Sequence, residues 1–158
     1  MIIAVKYESI VEENGLRHAD TSTAPRLRAG ALDALRALKR AGHVLVLTSP
    51  RANLALRSDP MLDPLVAAGV QPFDRGQWQR SRPIHQARYE EMRRMEQTVL
   101  GGLFAAVDDG RQGPIAADMT IDPHAVRMGH GAHGAKAWSE IAATWGDVRY
   151  APPQRKRS

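Results

Sequence analysis

The stretch "ALDALRALKRAGHVLVLTS", residues 31–49, joins a helical pattern to a strand pattern and decides the fold class. Leucines recur at helical spacing over residues 32–38, and Gly42 stands where a left-handed C′ residue ends a helix. The run Val44–Leu47 is continuously apolar, which is typical of a strand buried on both faces. We therefore predict a helix that leads directly into a buried strand.

Other segments extend this unit into an alternating order of strands and helices. Ile2–Val5 is a second apolar run and completes a β-α-β unit, for which a right-handed crossover is expected. "LFAAV" at 103–107 and the run 119–121 predict two further strands, and residues 136–145 predict a closing helix. This alternation is typical of an α/β domain with a mainly parallel sheet.

The remaining segments have weaker patterns. Polar residues over 12–23 predict a loop, and residues 54–68 predict a helical segment interrupted by prolines. Residues 75–112 are the least regular part, and we interpret them as an insertion that contains one helix. The domain is expected to span residues 1–148.

Composition limits the class of protein. A chain of 158 residues with 43% hydrophobic and 25% charged residues is typical of one soluble globular domain. No apolar run approaches the roughly 18 to 20 residues that cross a bilayer, and no signal-peptide pattern is seen. We expect a cytoplasmic protein that does not contact membranes. Because cysteine is absent, disulfides, thiol catalysis and thiolate metal sites are excluded.

The positive net charge of +5 is concentrated at the end of the chain. Residues 149–158 hold four basic side chains and no acid, and removing these four from the 22 basic residues leaves 18 against 17 acids. We predict a flexible basic tail there. Nucleic acid or an acidic partner could bind such a tail, whereas a solvated terminus without a ligand is the simpler alternative.

Four stretches in order carry a family resemblance: "MIIAVKYESIVEENG" (1–15), "LRALKRAGHVLVLTSPRAN" (35–53), "AAGVQPFD" (67–74) and "AADMTIDPHAVRMG" (116–129). Together they resemble the haloacid dehalogenase (HAD) superfamily, in its compact phosphohydrolase-like form found in bacteria and phages. The resemblance implies a three-layer, Rossmann-like HAD domain. It also implies an aspartate nucleophile, a second aspartate as general acid and base, and a bound magnesium ion.

The catalytic positions of that family are altered in this chain. Lys6 stands at the nucleophile's position and Glu8 at the position of the general acid. Thr48 and Asp122 match the family pattern, but Pro123 replaces the second metal-binding acid, and the expected lysine near residue 114 is missing. An ammonium group cannot replace an attacking carboxylate, and its charge would repel magnesium. No catalytic residue and no metal ligand are therefore expected, with Asp122 as a residual metal candidate.

Lys6 has two interpretations. In the first, it forms an internal salt bridge with Glu8 or Asp122 and takes the place of the lost metal ion. In the second, it belongs to a pocket that binds a phosphorylated ligand without cleaving it. That pocket would be formed by four residues: Lys6, Thr48, Ser49 and Arg51.

Two further groups of residues are weaker metal candidates. The sequence "DDG" at 108–110 could form a relocated metal site, but we favour a tight turn. Three histidines in a glycine-rich stretch lack the carboxylates or spacing of a recognised zinc motif: His124, His130 and His133.

These observations predict a catalytically inactive HAD-like protein that acts as a binding, scaffolding or assembly subunit, without a cofactor. The first alternative is an active phosphohydrolase with a rearranged site, which would need magnesium. The second is an accessory protein that binds nucleic acid through its tail. A protein partner or a second copy is expected to contact one helix face and the tail: Tyr89, Met92, Met95, Val99, Arg155, Lys156 and Arg157.

Overall fold

The computed structural model of the protein describes residues 1–12, 25–52, 54, 75–111, 115–123 and 132–146, with the side chains of 75–82 and 132–135 left out. We number the elements in chain order. They are β1 (Ile2–Lys6), α1 (Tyr7–Ile10), β2 (Val11–Glu12), β3 (Arg26–Leu27), α2 (Ala31–Arg40), β4 (Val44–Thr48), a 3-10 turn (Pro50–Ala52), α3 (Arg75–Thr98), β5 (Ala106–Val107), β6 (Met119–Ile121) and α4 (Ala132–Trp145).

Four of these strands form a parallel sheet in the order β5-β4-β1-β6, and β2 and β3 form a small antiparallel ribbon beside it. β1 lies between β4 and β6, with Lys6 opposite Thr48 and Val5 opposite Ile121. The mainly parallel α/β arrangement predicted from the sequence is therefore confirmed. Since all four strands run the same way, their carboxyl ends meet at one edge.

One face of this sheet is closely packed against the helices. Ile3 and Val5 of β1 have no exposed surface, and Leu45 and Leu47 of β4 expose at most 1%. These side chains join one hydrophobic cluster with residues of α2, α3 and α4: Ala31, Ala34, Leu35, Leu38, Met92, Met95, Ala137, Trp138 and Ile141. Burial of this apolar face is the main source of stability for the domain.

The opposite face of the sheet is less buried, and this corrects the interpretation of β4. Val44 exposes 46% of its surface and its register partner Ile2 exposes 39%. Side chains alternate between the two faces of a strand, so positions 44 and 46 share a face that Leu45 and Leu47 do not. The continuous apolar run therefore gives a strand that is fully buried on one face only.

The segment 75–112 is more regular than the sequence indicated. Residues 75–98 form one continuous helix that includes Pro83, and β5 of the central sheet follows it. Met92 and Met95 lie in the hydrophobic cluster with 0% and 5% exposure, so they are core residues and cannot form a partner surface. Their spacing places them on the face of α3 that packs on the sheet.

Several local predictions are confirmed and others lie outside the described residues. Gly42 ends the turn after α2 with φ of 86°, and α4 begins before the predicted residue 136. Within the described ranges, every helix is too short or too polar to cross a lipid bilayer. The residues outside include most of the loop 12–23, most of the segment 54–68, the tail 149–158, His124 and His130, while His133 lies in α4 with its side chain not described.

Candidate functional site

The carboxyl edge of the sheet gathers the polar residues that the sequence singled out. Lys6 and Thr48 are the last residues of β1 and β4, and Asp108 and Asp122 directly follow β5 and β6. The backbone amide of Asp108 donates a hydrogen bond of 2.8 Å to the carbonyl of Leu47, which holds the end of β5 against β4. In open parallel sheets this edge is the usual place for a ligand.

Lys6 is paired with an acid on the neighbouring strand. Its ammonium group forms a salt bridge with Asp122 because the register of β1 and β6 places their carboxyl ends side by side. The two side chains expose 32% and 22% of their surface, so water still screens the pair in part. Of the two interpretations of Lys6, this geometry matches the internal salt bridge, with Asp122 as the partner.

Glu8 is directed to the end of β4 instead. Its side chain lies in the short helix α1 and is 8% exposed, and its Oε1 accepts a hydrogen bond of 2.5 Å from the hydroxyl of Ser49. Its Oε2 is buried and has no hydrogen-bond partner among the described residues. The Ser49 oxygen also accepts a bond of 3.1 Å from the amide of Arg51. The Ser49 hydroxyl therefore bonds both to Glu8 and to the backbone of the 3-10 turn.

Tyr7 begins a buried polar network that the sequence did not indicate. Its hydroxyl donates a hydrogen bond of 2.7 Å to Oε1 of Glu91, and the guanidinium of Arg88 donates to the same oxygen at 2.7 Å. Arg88 also lies over the Tyr7 ring, 5.6 Å from its centroid. Burial, with Glu91 nearby, raises the pKa of Tyr7 far above its usual range, so the phenol stays neutral. The available signal was a charged pair three residues apart on the face of α3 that carries Met92.

Ser9 completes a set of anchored residues after β1. Its hydroxyl donates to the carbonyl of Ile121 at 3.2 Å, and its own carbonyl accepts from the indole N–H of Trp138 at 3.2 Å. Residues 6–9, which we call the KYES turn, are thus bonded to β6, α3, the end of β4 and α4. Four consecutive residues fix the relative positions of four elements.

The two aspartates after β5 form a turn. Asp108 Oδ1 accepts from the amide of Gly110 at 2.9 Å, and Asp109 Oδ1 accepts from the amide of Arg111 at 3.0 Å. Gly110 has φ of 74°, a left-handed conformation that suits glycine. This agrees with a tight turn at "DDG". In the part of the chain that the structure describes, no three histidine, aspartate or glutamate side chains are arranged to hold a metal ion.

Charges of both signs meet at this edge. Four cations lie at or near the strand ends, Lys6, Arg28, Arg51 and Arg111, beside four carboxylates: Glu8, Asp108, Asp109 and Asp122. Lys6 is already paired with Asp122. A phosphorylated ligand would have to displace that carboxylate from Lys6 before it could bind.

Comparison of the chain with protein-family models, with curated proteins and with solved structures finds no match. The function proposed below is therefore based on the geometry and charge of the residues at this edge.

Proposed function

We propose that this protein is a catalytically inactive α/β domain of HAD-like architecture that works as a binding, scaffolding or assembly subunit. The observation that carries the proposal is the Lys6–Asp122 salt bridge at the carboxyl edge of the sheet. The ammonium of Lys6 stands where a phosphohydrolase of that kind keeps its nucleophile, and it pairs with the acid at the position where such enzymes bind magnesium.

The arrangement of the strands supports the HAD-like part of the proposal. Lys6, Thr48 and Asp122 come from different parts of the sequence, and the order β4-β1-β6 brings the three strand ends together. In the HAD pattern that the sequence resembles, these three positions hold the nucleophile, a phosphate-binding hydroxyl and a metal-binding acid, respectively. A fold alone does not define a function, so the altered residues decide between activity and its loss.

The KYES turn supports a structural role for residues that would otherwise do chemistry. These side chains are each bonded to another element, which holds them in place at the strand ends. Bonds of this kind stabilise the domain. A partner surface must then lie elsewhere, and exposed Val99 remains a candidate from the predicted contact residues.

The test compares metal binding and phosphatase activity in the wild type and in Lys6→Asp. We expect the wild type to show neither magnesium-dependent hydrolysis of an aryl phosphate nor a rise in Tm with magnesium. Lys6→Asp replaces the cation with a second carboxylate beside Asp122, and we expect magnesium to raise its Tm. Lys136→Asp is the matched control, because Lys136 is 76% exposed on α4 and its described ion pair is with Glu140 rather than with an acid at the strand ends.

Two results would replace the proposal. Metal-dependent turnover by the wild type that is lost in Glu8→Gln would establish the active phosphohydrolase instead. Salt-sensitive binding of nucleic acid that is lost when residues 149–158 are removed would establish the accessory role in nucleic-acid binding.

A further inference from the structure

The second half of α2 presents an exposed basic face at the amino edge of the sheet. Arg36 and Arg40 are four residues apart, so they lie on the same side of the helix, about 6 Å apart along its axis. Both are exposed. Arg36 contacts Asp33 at 3.7 Å, and Arg40 has no bonded partner in the part of the chain that the structure describes. Their guanidinium groups are therefore open to a ligand.

Lys39 adds a third positive charge to this end of α2. Its ammonium group donates to the carbonyls of Gly102 at 2.7 Å and Leu103 at 3.0 Å. These acceptors are uncharged, so the positive charge is not cancelled. Cations in the last turn also stabilise a helix through its dipole, which accounts for Lys39 and Arg40. Arg36 lies before the last turn, and the dipole does not account for it.

Acids on the elements around this face do not neutralise it. Asp33 is the only acid of α2, and it is 88% exposed, so water screens its contact with the helix's cations. Asp118, at the start of β6, accepts a hydrogen bond of 2.6 Å from the amide of Ile2. Glu140 of α4 lies 3.8 Å from Lys136 of the same helix. The face of α2 therefore keeps a net positive charge.

The end of α4 lies beside this face. An added Cβ at Gly146 would lie 3.1 Å from the Cβ of Ala37, and the ring of His43 donates a hydrogen bond of 3.0 Å to the carbonyl of Trp145. Residues 147–158, which follow, carry four basic side chains and one acid. Removing these four and the three of α2 from the 22 basic residues leaves 15, against the 17 acids of the chain. The net positive charge is therefore contributed by these two segments.

We propose that the basic face of α2, together with the segment that follows α4, binds a short acidic segment of a protein partner. The inference deepens the proposed binding role and rests on it. The planar guanidinium of arginine binds carboxylates through paired hydrogen bonds. The face is only about one helical turn long, and acids outnumber bases in the rest of the chain. A long nucleic acid would extend beyond the face and meet net negative charge, whereas a short acidic peptide would not.

Fluorescence anisotropy with a labelled deca-glutamate peptide tests this surface in the full chain. We expect saturable binding that weakens as the salt concentration rises, and no binding of deca-glutamine. Arg36→Gln combined with Arg40→Gln should weaken binding about fivefold or more, because each exposed charge pair contributes roughly a factor of two to five. Glutamine is a good helix former, so α2 should be retained. Arg36→Lys combined with Arg40→Lys keeps both charges and should retain most of the affinity.

Arg26→Gln combined with Arg111→Gln is the matched control. Both arginines are exposed, and they lie on the carboxyl side of the sheet: Arg26 in the ribbon after α1, and Arg111 in the turn after β5. The control removes the same charge from the opposite side, so binding should change by less than about twofold. Thermal unfolding of both double variants separates a loss of charge from a loss of the fold.

The proposal is overturned if the wild type does not bind deca-glutamate, or if the two double variants weaken binding equally. It is also overturned if an oligothymidylate of the same charge binds more tightly at the same salt concentration and is weakened by the α2 substitutions, which would assign the face to nucleic acid. None of these measurements involves magnesium or phosphate hydrolysis. This inference and the proposed loss of catalysis can therefore fail separately.

Discussion

The hydroxyl of Tyr7 and the carboxylate of Glu91 are joined by a hydrogen bond of 2.7 Å, although 84 residues separate them in the chain. The bond fixes α3 to the end of β1. Arg88 shares the same carboxylate oxygen, and all three residues expose at most 5% of their surface. A buried charge pair of this kind is costly to break, because the remaining partner stays in the interior.

Glu91→Gln should therefore be strongly destabilising. It removes the charge that balances Arg88, and we expect a loss of about 3 to 5 kcal/mol in the free energy of unfolding. Tyr7→Phe removes a single neutral donor and should cost only about 1 to 2 kcal/mol. Urea unfolding of the two variants measures the difference. Equal losses would contradict a charge pair between Arg88 and Glu91.

The salt bridge of Lys6 should contribute much less to stability. Both side chains are partly exposed, so a double-mutant cycle of Lys6→Met and Asp122→Asn should give a coupling of about 1 kcal/mol or less. The pair Asp33–Arg36 is the control: its atoms are 3.7 Å apart and its side chains are 88% and 52% exposed, so its coupling should be close to zero. A coupling free energy as large as that of a buried pair would mean that the bond between Lys6 and Asp122 contributes strongly to the stability of the domain.

Glu96 should make the folded protein more stable at acid pH than at neutral pH. Burial raises the pKa of Glu96, opposed in part by the amide of Phe104 and the charge of Lys39. The folded state therefore holds this proton more tightly than the unfolded chain. The contribution of Glu96 to the free energy of unfolding is fully present below the ordinary pKa of this side chain, about 4.5. It is lost as the pH rises through the pKa that Glu96 has in the folded protein.

Glu96→Gln tests this through the pH dependence of Tm. Glutamine can still accept from the Phe104 amide, which bonds to Glu96 at 3.0 Å. As the pH rises from about 4 to about 7, we expect the Tm of the variant to rise relative to the wild type. The exposed control Glu140→Gln should follow the wild type over that range, since Glu140 is 68% exposed. A constant difference between Glu96→Gln and the wild type would refute the assignment.

The backbone of the sheet was predictable because strand signals are local. Short apolar runs such as Ile2–Val5 and 119–121 predict buried strands from a few neighbouring residues. Gly42 marks the end of α2 because glycine readily adopts the positive φ found there. The face on which Val44 lies was not predictable, because exposure depends on what packs against the strand and not on the residue itself. The same limit applies to Val99, which extends the apolar stripe of α3 in the sequence but lies beyond the helix end and is exposed.

The site was predictable only in part, for a similar reason. The position of Lys6 followed from one strand, and its partner Asp122 followed from the expected adjacency of strand ends. The partners of Tyr7 and Glu8 required three-dimensional positions that no local pattern encodes. Ser49 belonged to the alternative anion pocket, and no local pattern indicated the bond that its hydroxyl donates to Glu8.

Two glycines provide a last comparison, between backbone strain and steric conflict. A Cβ added at Gly42 meets no atom within 4 Å, so Gly42→Ala should cost only the strain of a positive φ, roughly 1 to 2 kcal/mol. Gly42→Asn should cost less, because asparagine tolerates that conformation. At Gly146 an added Cβ would lie 2.5 Å from the backbone carbonyl oxygen of Ala142, so the backbone at the end of α4 itself must shift. The same Cβ would lie 3.1 Å from the Cβ of Ala37 on α2, a smaller conflict. Thermal unfolding should therefore rank Gly146→Ala below Gly42→Ala in Tm, and the reverse order would mean that the backbone at the end of α4 shifts more easily than the turn after α2.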